Sequence, residues 1–226
     1  MPLSFLLGQR KSGKMESFKY TWIELDLDER TDDFRPESYS PRNYNFKDLK
    51  LYEWIDTKGN WALRKDLCLK NVYTNLELLI DESKAPTNRS LATFKPTSIQ
   101  KLEIQKDDRE WKNEWKELRK QGDLFSQDKE PEILIPKLPY KFYYRFTDDS
   151  GKSSKLMIED WEIGQLFWNC LRAANGDENV ALEKVRQKYE QEFISKKDIY
   201  FFLGTTRQWH MRRANNPFVI IGVFTL

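Results

Sequence analysis

The 226-residue chain is short of cysteine, histidine and long apolar runs, and each shortage closes a class of explanation. Two cysteines, Cys68 and Cys170, build no disulfide framework. With a single histidine, His210, they supply no all-Cys/His tetrahedral zinc site. Their helical, apolar surroundings suit buried small hydrophobes. No 18-residue apolar run occurs and the mean hydropathy is −0.78, so no membrane-spanning helix and no membrane partner is expected. The 38 basic residues against 36 acidic ones leave +2, which gives no overall field toward nucleic acid or lipid. Met1 to Gly8 is apolar but short and lacks a charged leader, which is not a secretory pattern, so a cytoplasmic setting is expected. No internal repeat or low-complexity tract appears.

What is present is aromatic and charged. Aromatics at 14% argue against wholesale disorder, and the length is ample for one or two cored domains. Residues 18–28 alternate with a phase slip at Trp22–Ile23, which predicts a bulged strand. Residues 31–45 read as loop and 49–55 as a short strand. Residues 61–69 and 74–82 read as helices, with Asn60 and Thr74 as N-caps. Residues 91–94 and 99–105 read as strands, and 109–121 as a charged helix ending at Gly122. Tyr140–Phe146 and Ser153–Ile158 flank Asp148-Asp149-Ser150-Gly151, a hairpin signal. Residues 160–171 and 177–193 are helical. Residues 199–203 and 218–224 are continuous apolar strands, the second tying the tail into a sheet. The expected class is α+β, an antiparallel or mixed sheet with several packed helices. The expected organisation is an N-terminal region 1–122, a proline-containing linker 123–139 and a C-terminal region 140–226, which can form one domain with the first.

Few constellations carry chemistry. Gly8 through Gly13-Lys14 nearly spells a phosphate loop, but Met15 stands where Ser or Thr must hold Mg²⁺, and a strand pattern follows instead of a helix. Acid-x-Lys pairs begin at Asp48, Asp56, Glu82, Glu110 and Glu114, no more than chance gives. Glu159-Asp160-Trp161-Glu162 opens a helix, where carboxylates complement the dipole and Asp160 is a natural cap. Asp160, Glu162 and His210 are the weak catalytic candidates, and a metal-dependent hydrolase or nuclease built on them requires all three to converge. No metal site and no cofactor is expected.

The segment from Gly204 to Pro217 is more informative. It holds Arg207, Trp209, His210, Arg212, Arg213 and Asn215 with no acid, held between two strands where binding loops tend to sit. Arginine interleaved with aromatics suits phosphate contact and base stacking. The alternative is an ordinary surface loop paired with the acidic stretch Glu24 to Glu37.

Four stretches carry a family resemblance: Phe18-Lys19-Tyr20-Thr21-Trp22-Ile23-Glu24-Leu25; Asp33-Phe34-Arg35-Pro36-Glu37-Ser38-Tyr39; Ile158 through Leu166; and Phe201 through Thr206 with His210 and Asn216 through Phe224. Across nearly the whole chain they resemble a family of uncharacterised bacterial proteins with no assigned activity. Many similar proteins carry a Cys-x4-Cys-x-Gly-His stretch where this chain has Thr147 to Lys152, so any metal there is lost. Pro2 to Gly8 resembles the worn end of a longer N-terminal segment.

The sequence therefore leads to a non-enzymatic accessory protein that binds nucleic acid, RNA or DNA, or a nucleoprotein complex. Arg207, Trp209, His210, Arg212, Arg213 and Asn215 would form the contact with Arg10, Lys11 and Lys14. A defence or mobile-element complex fits this role. The eight tryptophans also suit a protein partner, and a purely structural interaction subunit is the remaining alternative.

Overall fold

The computed structural model describes residues 19–57, 61–113, 136–195 and 197–226. The class is α+β. One seven-stranded mixed sheet carries the molecule, in the order β5-β6-β10-β11-β9-β8-β7. Its strands are β5 (Val72–Tyr73), β6 (Leu91–Phe94), β7 (Ser98–Lys106), β8 (Tyr140–Thr147), β9 (Ser153–Ile158), β10 (Ile199–Thr205) and β11 (Phe218–Thr225). Two small antiparallel pairs precede it: β1 (Thr21–Glu24) with β4 (Lys50–Trp54), and β2 (Leu27–Glu29) with β3 (Tyr39–Pro41). The helices are α1 (Ala62–Cys68), α2 (Leu76–Glu82), α3 (Trp161–Ala173), α4 (Glu178–Arg186), which continues as a π-helix over Gln187–Ile194, and the short α5 (Arg207–Met211).

β10 and β11 pair antiparallel at the centre of the sheet. β6 adds antiparallel to β10, and β9 adds parallel to β11 through Ile158 and Ile220. Both central strands alternate toward a common core. Phe201 is the hub. Its ring stacks on Tyr144 (5.6 Å) and Phe94 (6.4 Å) and meets Phe146 edge-on (5.3 Å). Ile163 and Phe167 of α3 and Ala181 and Val185 of α4 belong to the same buried cluster. Tyr144 donates its hydroxyl to the Tyr189 carbonyl in the π-helical stretch (2.6 Å), so even this buried phenol is satisfied.

Two glycines set how closely the central strands approach. A Cβ on Gly204 would lie 3.0 Å from the Ile221 side chain, and one on Gly222 would lie 3.1 Å from the Phe202 ring. Only glycine leaves room for those side chains to lie across the neighbouring strand.

Several expectations are refined. The 18–28 strand divides into β1 and β2, in different pairs, and the irregularity falls between Thr21 and Ile23. α1 is capped by Trp61 in left-handed backbone (φ 62) without a side-chain bond, while Asn60 lies outside the described residues. α2 is capped by Asn75, not Thr74: the Asn75 side chain accepts from Leu78 N (3.1 Å), and Thr74 donates to Asp149 instead. The Asp148 to Gly151 turn forms as expected. Its buried Asp148 accepts from Leu76 N and Ser150 N (both 3.0 Å), tying the turn to α2. Most of the 109–121 helix and residues 123–135 of the expected linker lie outside the described residues. The segment 123–139 runs between β7 and β8, which are neighbours in one sheet.

Arg64 of α1 joins the N-terminal pairs to the rest. Its guanidinium lies 4.0 Å from the Tyr20 ring, 5.0 Å from Trp61 and 5.3 Å from Trp54, and its Nε donates to the Ile55 carbonyl (2.8 Å). Trp61 in turn meets Phe224 of β11 edge-on (5.5 Å). Cation–π contacts out of water and a charge-assisted hydrogen bond give this residue a large share of the local stability. Arg64→Ala should destabilise the fold by about 2–4 kcal/mol in urea titration. Arg64→Lys should recover only part, because an ammonium lacks the planar face.

Candidate nucleic-acid interface

The expected loop between β10 and β11 folds, in its first half, into α5. Thr206 caps it, its hydroxyl accepting from Trp209 N (3.4 Å). The helix ends in a complete Schellman arrangement: Ala214 N donates to Trp209 O and Arg213 N to His210 O, both at 3.1 Å. Glycine is the usual residue at the left-handed position of that motif. Here it is Arg213, at φ 49. A side chain in left-handed backbone costs roughly 1–2 kcal/mol, and Tyr20, Phe46, Trp61, Asn88 and Asn175 also take positive φ.

His210 faces inward and is buried. Its Nε2 lies 2.5 Å from the Ser83 carbonyl, which only accepts, so Nε2 carries the proton and donates. Its Nδ1 pairs with the Thr205 hydroxyl (2.9 Å), and the ring meets Phe34 edge-on at 5.0 Å. Both nitrogens are engaged, which leaves none to act as a general base. His210 anchors α5 to the turn after α2.

The segment Asp32 to Glu37 locks onto the same place. Arg35 grips the buried Asp33 carboxylate through Nε (2.9 Å) and Nη2 (2.6 Å) and donates Nη1 to the Thr205 carbonyl (2.8 Å). Ser90 donates to Glu37 (2.6 Å). The Arg35 guanidinium and its backbone N–H hold the Asp33 carboxyl well below the usual carboxylate range.

Three stretches far apart in sequence thus converge: 32–37, 83–90 and 204–214. Residues 72–225 match the family described as Domain of unknown function (DUF8757). The chain belongs to that family. Residues 5–70 match a second one, Domain of unknown function (DUF8758). No curated protein and no solved structure matches the chain. The cluster lies where the two matched regions meet: Phe34 and Arg35 come from the DUF8758 region, Ser83 and His210 from the DUF8757 region.

The expected contact residues separate into groups. Trp209 and Met211 are about half exposed, and Arg212, Arg213 and Asn215 are exposed. The Arg212 guanidinium lies 5.9 Å from the Trp209 ring. Neither Arg212 nor Arg213 has an acidic partner among the described residues. Arg207 does: it donates to the Asp32 carbonyl (2.5 Å) and approaches the Asp32 carboxylate (3.5 Å). Pairing with the acidic stretch therefore accounts for Arg207 alone of the three arginines. Arg10, Lys11 and Lys14 lie outside the described residues.

The hydrolase constellation does not assemble. Asp160 caps α3, its Oδ1 accepting from Glu162 N (3.0 Å). Burial pushes its carboxyl pKa up, against hydrogen bonds from the Glu162 and Val223 backbone. Glu162 is exposed and pairs with Lys19 (2.9 Å). No hydrogen bond, ion pair or ring contact joins either acid to His210. Among the described residues no group of three His, Cys, Asp or Glu side chains is arranged to hold a metal ion. What sequence reasoning missed is Phe34, Arg35 and the 83–88 turn. Their signal, a buried Asp-x-Arg clamp inside a proline-rich loop, is invisible without its partner Thr205.

Asp33 gives a signed pH prediction. Its folded pKa is depressed, so its contribution is present above about pH 4, the unfolded value, and fades as pH falls below it. Wild-type protein should lose stability along an acid limb beginning near pH 4. Asp33→Asn should be less stable at pH 7 and show a shallower limb, read by thermal unfolding across pH 2–7.

Proposed function

We propose that the chain is a non-enzymatic binding protein whose ligand is single-stranded nucleic acid, held on the outer face of α5. Trp209 offers an indole on which an unpaired base stacks, and Arg212 and Arg213 meet the flanking phosphates. The observation that carries this reading is the exposed Trp209–Arg212 pair on α5, with Arg213 beside it lacking an acidic partner among the described residues. A duplex hides its base faces, so stacking of this kind favours single strands. Arg207 donates to the Asp32 carbonyl as well as approaching its carboxylate, so in this reading it positions the Asp32 to Glu37 segment. A protein with these properties suits an accessory subunit of a nucleoprotein assembly, for which a defence or mobile-element complex is one setting.

Fluorescence anisotropy with labelled single-stranded and duplex decanucleotides, titrated in salt, tests this. Single strands should bind more tightly, and affinity should fall as salt rises. Trp209→Ala should weaken binding by about 1–3 kcal/mol, the worth of one stacked base. Arg212→Ala with Arg213→Ala should lower the salt slope by about 1.4, the value for two phosphate contacts on a single strand. No binding at low salt sinks the proposal.

Arg213→Gly separates structure from function. It should leave the melting temperature equal or raise it, because glycine relieves the left-handed backbone. It should nevertheless weaken single-strand binding. A variant that melts lower and binds normally shows that Arg213 serves the fold instead.

A further inference from the structure

Beside α5 lies a cleft of about 580 Å³ that shares Arg213 with the stacking face. That size lies within the range of small-molecule sites, about 300–1,000 Å³. Phe34, Met211 and Pro217 line it as apolar walls, and Lys84, Asn88 and Arg213 are its polar members. No carboxylate lines it. Its buried polar pair, His210 Nε2 and the Ser83 carbonyl, is consumed internally, so the lining offers recognition without a reactive group. Phe34 is about half exposed, touching His210 edge-on, and Met211 is more exposed still. An aromatic ring and a polarizable thioether suit the faces of a flat heterocycle. The Asn88 amide nitrogen is turned to the Pro86 carbonyl (3.3 Å), and its amide oxygen has no donor among the described residues, which suits an exocyclic amino group. Arg213 has no acidic partner among the described residues. Among the described residues Lys84 pairs with exposed Asp81 (2.6 Å), a contact that an incoming anion readily exchanges.

We propose that this cleft is a nucleotide pocket. It takes one base between Phe34 and Met211, with its phosphate against Arg213 and Lys84. The inference rests on the nucleic-acid reading of α5 and extends it: one nucleotide leaves the strand and enters the cleft while its neighbour stacks on Trp209. A free nucleotide and a nucleotide within a strand share this chemistry.

The wild-type protein provides the first test. With ¹³C-methyl-methionine labelling, the Met211 resonance, assigned through Met211→Leu, is followed as adenosine monophosphate or a single-stranded decanucleotide is added. A shift with the mononucleotide assigns the cleft to a free nucleotide. A shift with the decanucleotide alone assigns it to a nucleotide within a strand. Ala214→Phe, which fills the cleft and leaves every cation in place, should lower decanucleotide affinity at least tenfold, and Phe34→Ala should do the same. If the decanucleotide binds with its Trp209 dependence intact, yet the Met211 methyl stays still and Ala214→Phe binds as wild type, the pocket is overturned and the α5 interface stands. If the decanucleotide does not bind at low salt, both fall.

Discussion

The antiparallel pairing of β10 with β11 is the constraint on which the rest of the structure depends. It brings Phe201 and Ile220 into the core and presents a free edge to β6 on one side and to β9 on the other. It also determines that the 206–217 connection emerges from the end of two central strands, not from a sheet edge. Such a connection starts and ends in rigid backbone, so its residues are held to the accuracy of the core. Gly204 and Gly222 belong to the same constraint, since the neighbouring Ile221 and Phe202 side chains occupy the space a Cβ would need.

From that base, polar interactions do the local work. His210 spans from the Thr205 hydroxyl to the Ser83 carbonyl, and Arg35 spans from Asp33 to the Thr205 carbonyl. These groups are buried or half-buried, so their hydrogen bonds are short of competing water and leaving any of them unmade is costly. The consequence is division of labour within one short segment. Arg207 and His210 hold α5 in place, while Trp209, Arg212 and Arg213 remain available at the surface. A helix of five residues has little stability of its own and persists only because tertiary contacts supply it.

Much of the architecture was legible in the residues. The apolar runs 199–203 and 218–224, the Asp148 to Gly151 hairpin turn and the Asp160 cap all appear where their patterns indicated. These signals are local: period-2 alternation, turn chemistry and side-chain capping each act within a few residues. Local reasoning failed where two neighbours competed for one role, as Thr74 and Asn75 did, because the choice was decided by Asp149 in the turn between β8 and β9. It also left His210 open as a base, a ligand contact or a structural group, and in the structure both ring nitrogens are hydrogen-bonded within the fold.

The sequence by itself determined the α+β class, the longer strands of the main sheet and its two long helices, and the fact that one acid-free, arginine- and tryptophan-bearing stretch separates two core strands, whereas β3 falls in a stretch read as loop. Only the tertiary structure decided which of those arginines is spent on Asp32, that the hydrolase triad stays apart, and that the 32–37 loop and the 83–88 turn build a cleft against α5. The reason is range. Periodicity and capping operate between residues a few positions apart, whereas the bonds from Arg35 to Thr205 and from His210 to Ser83 join groups 170 and 127 positions apart. They come into existence only after the sheet has brought those stretches together.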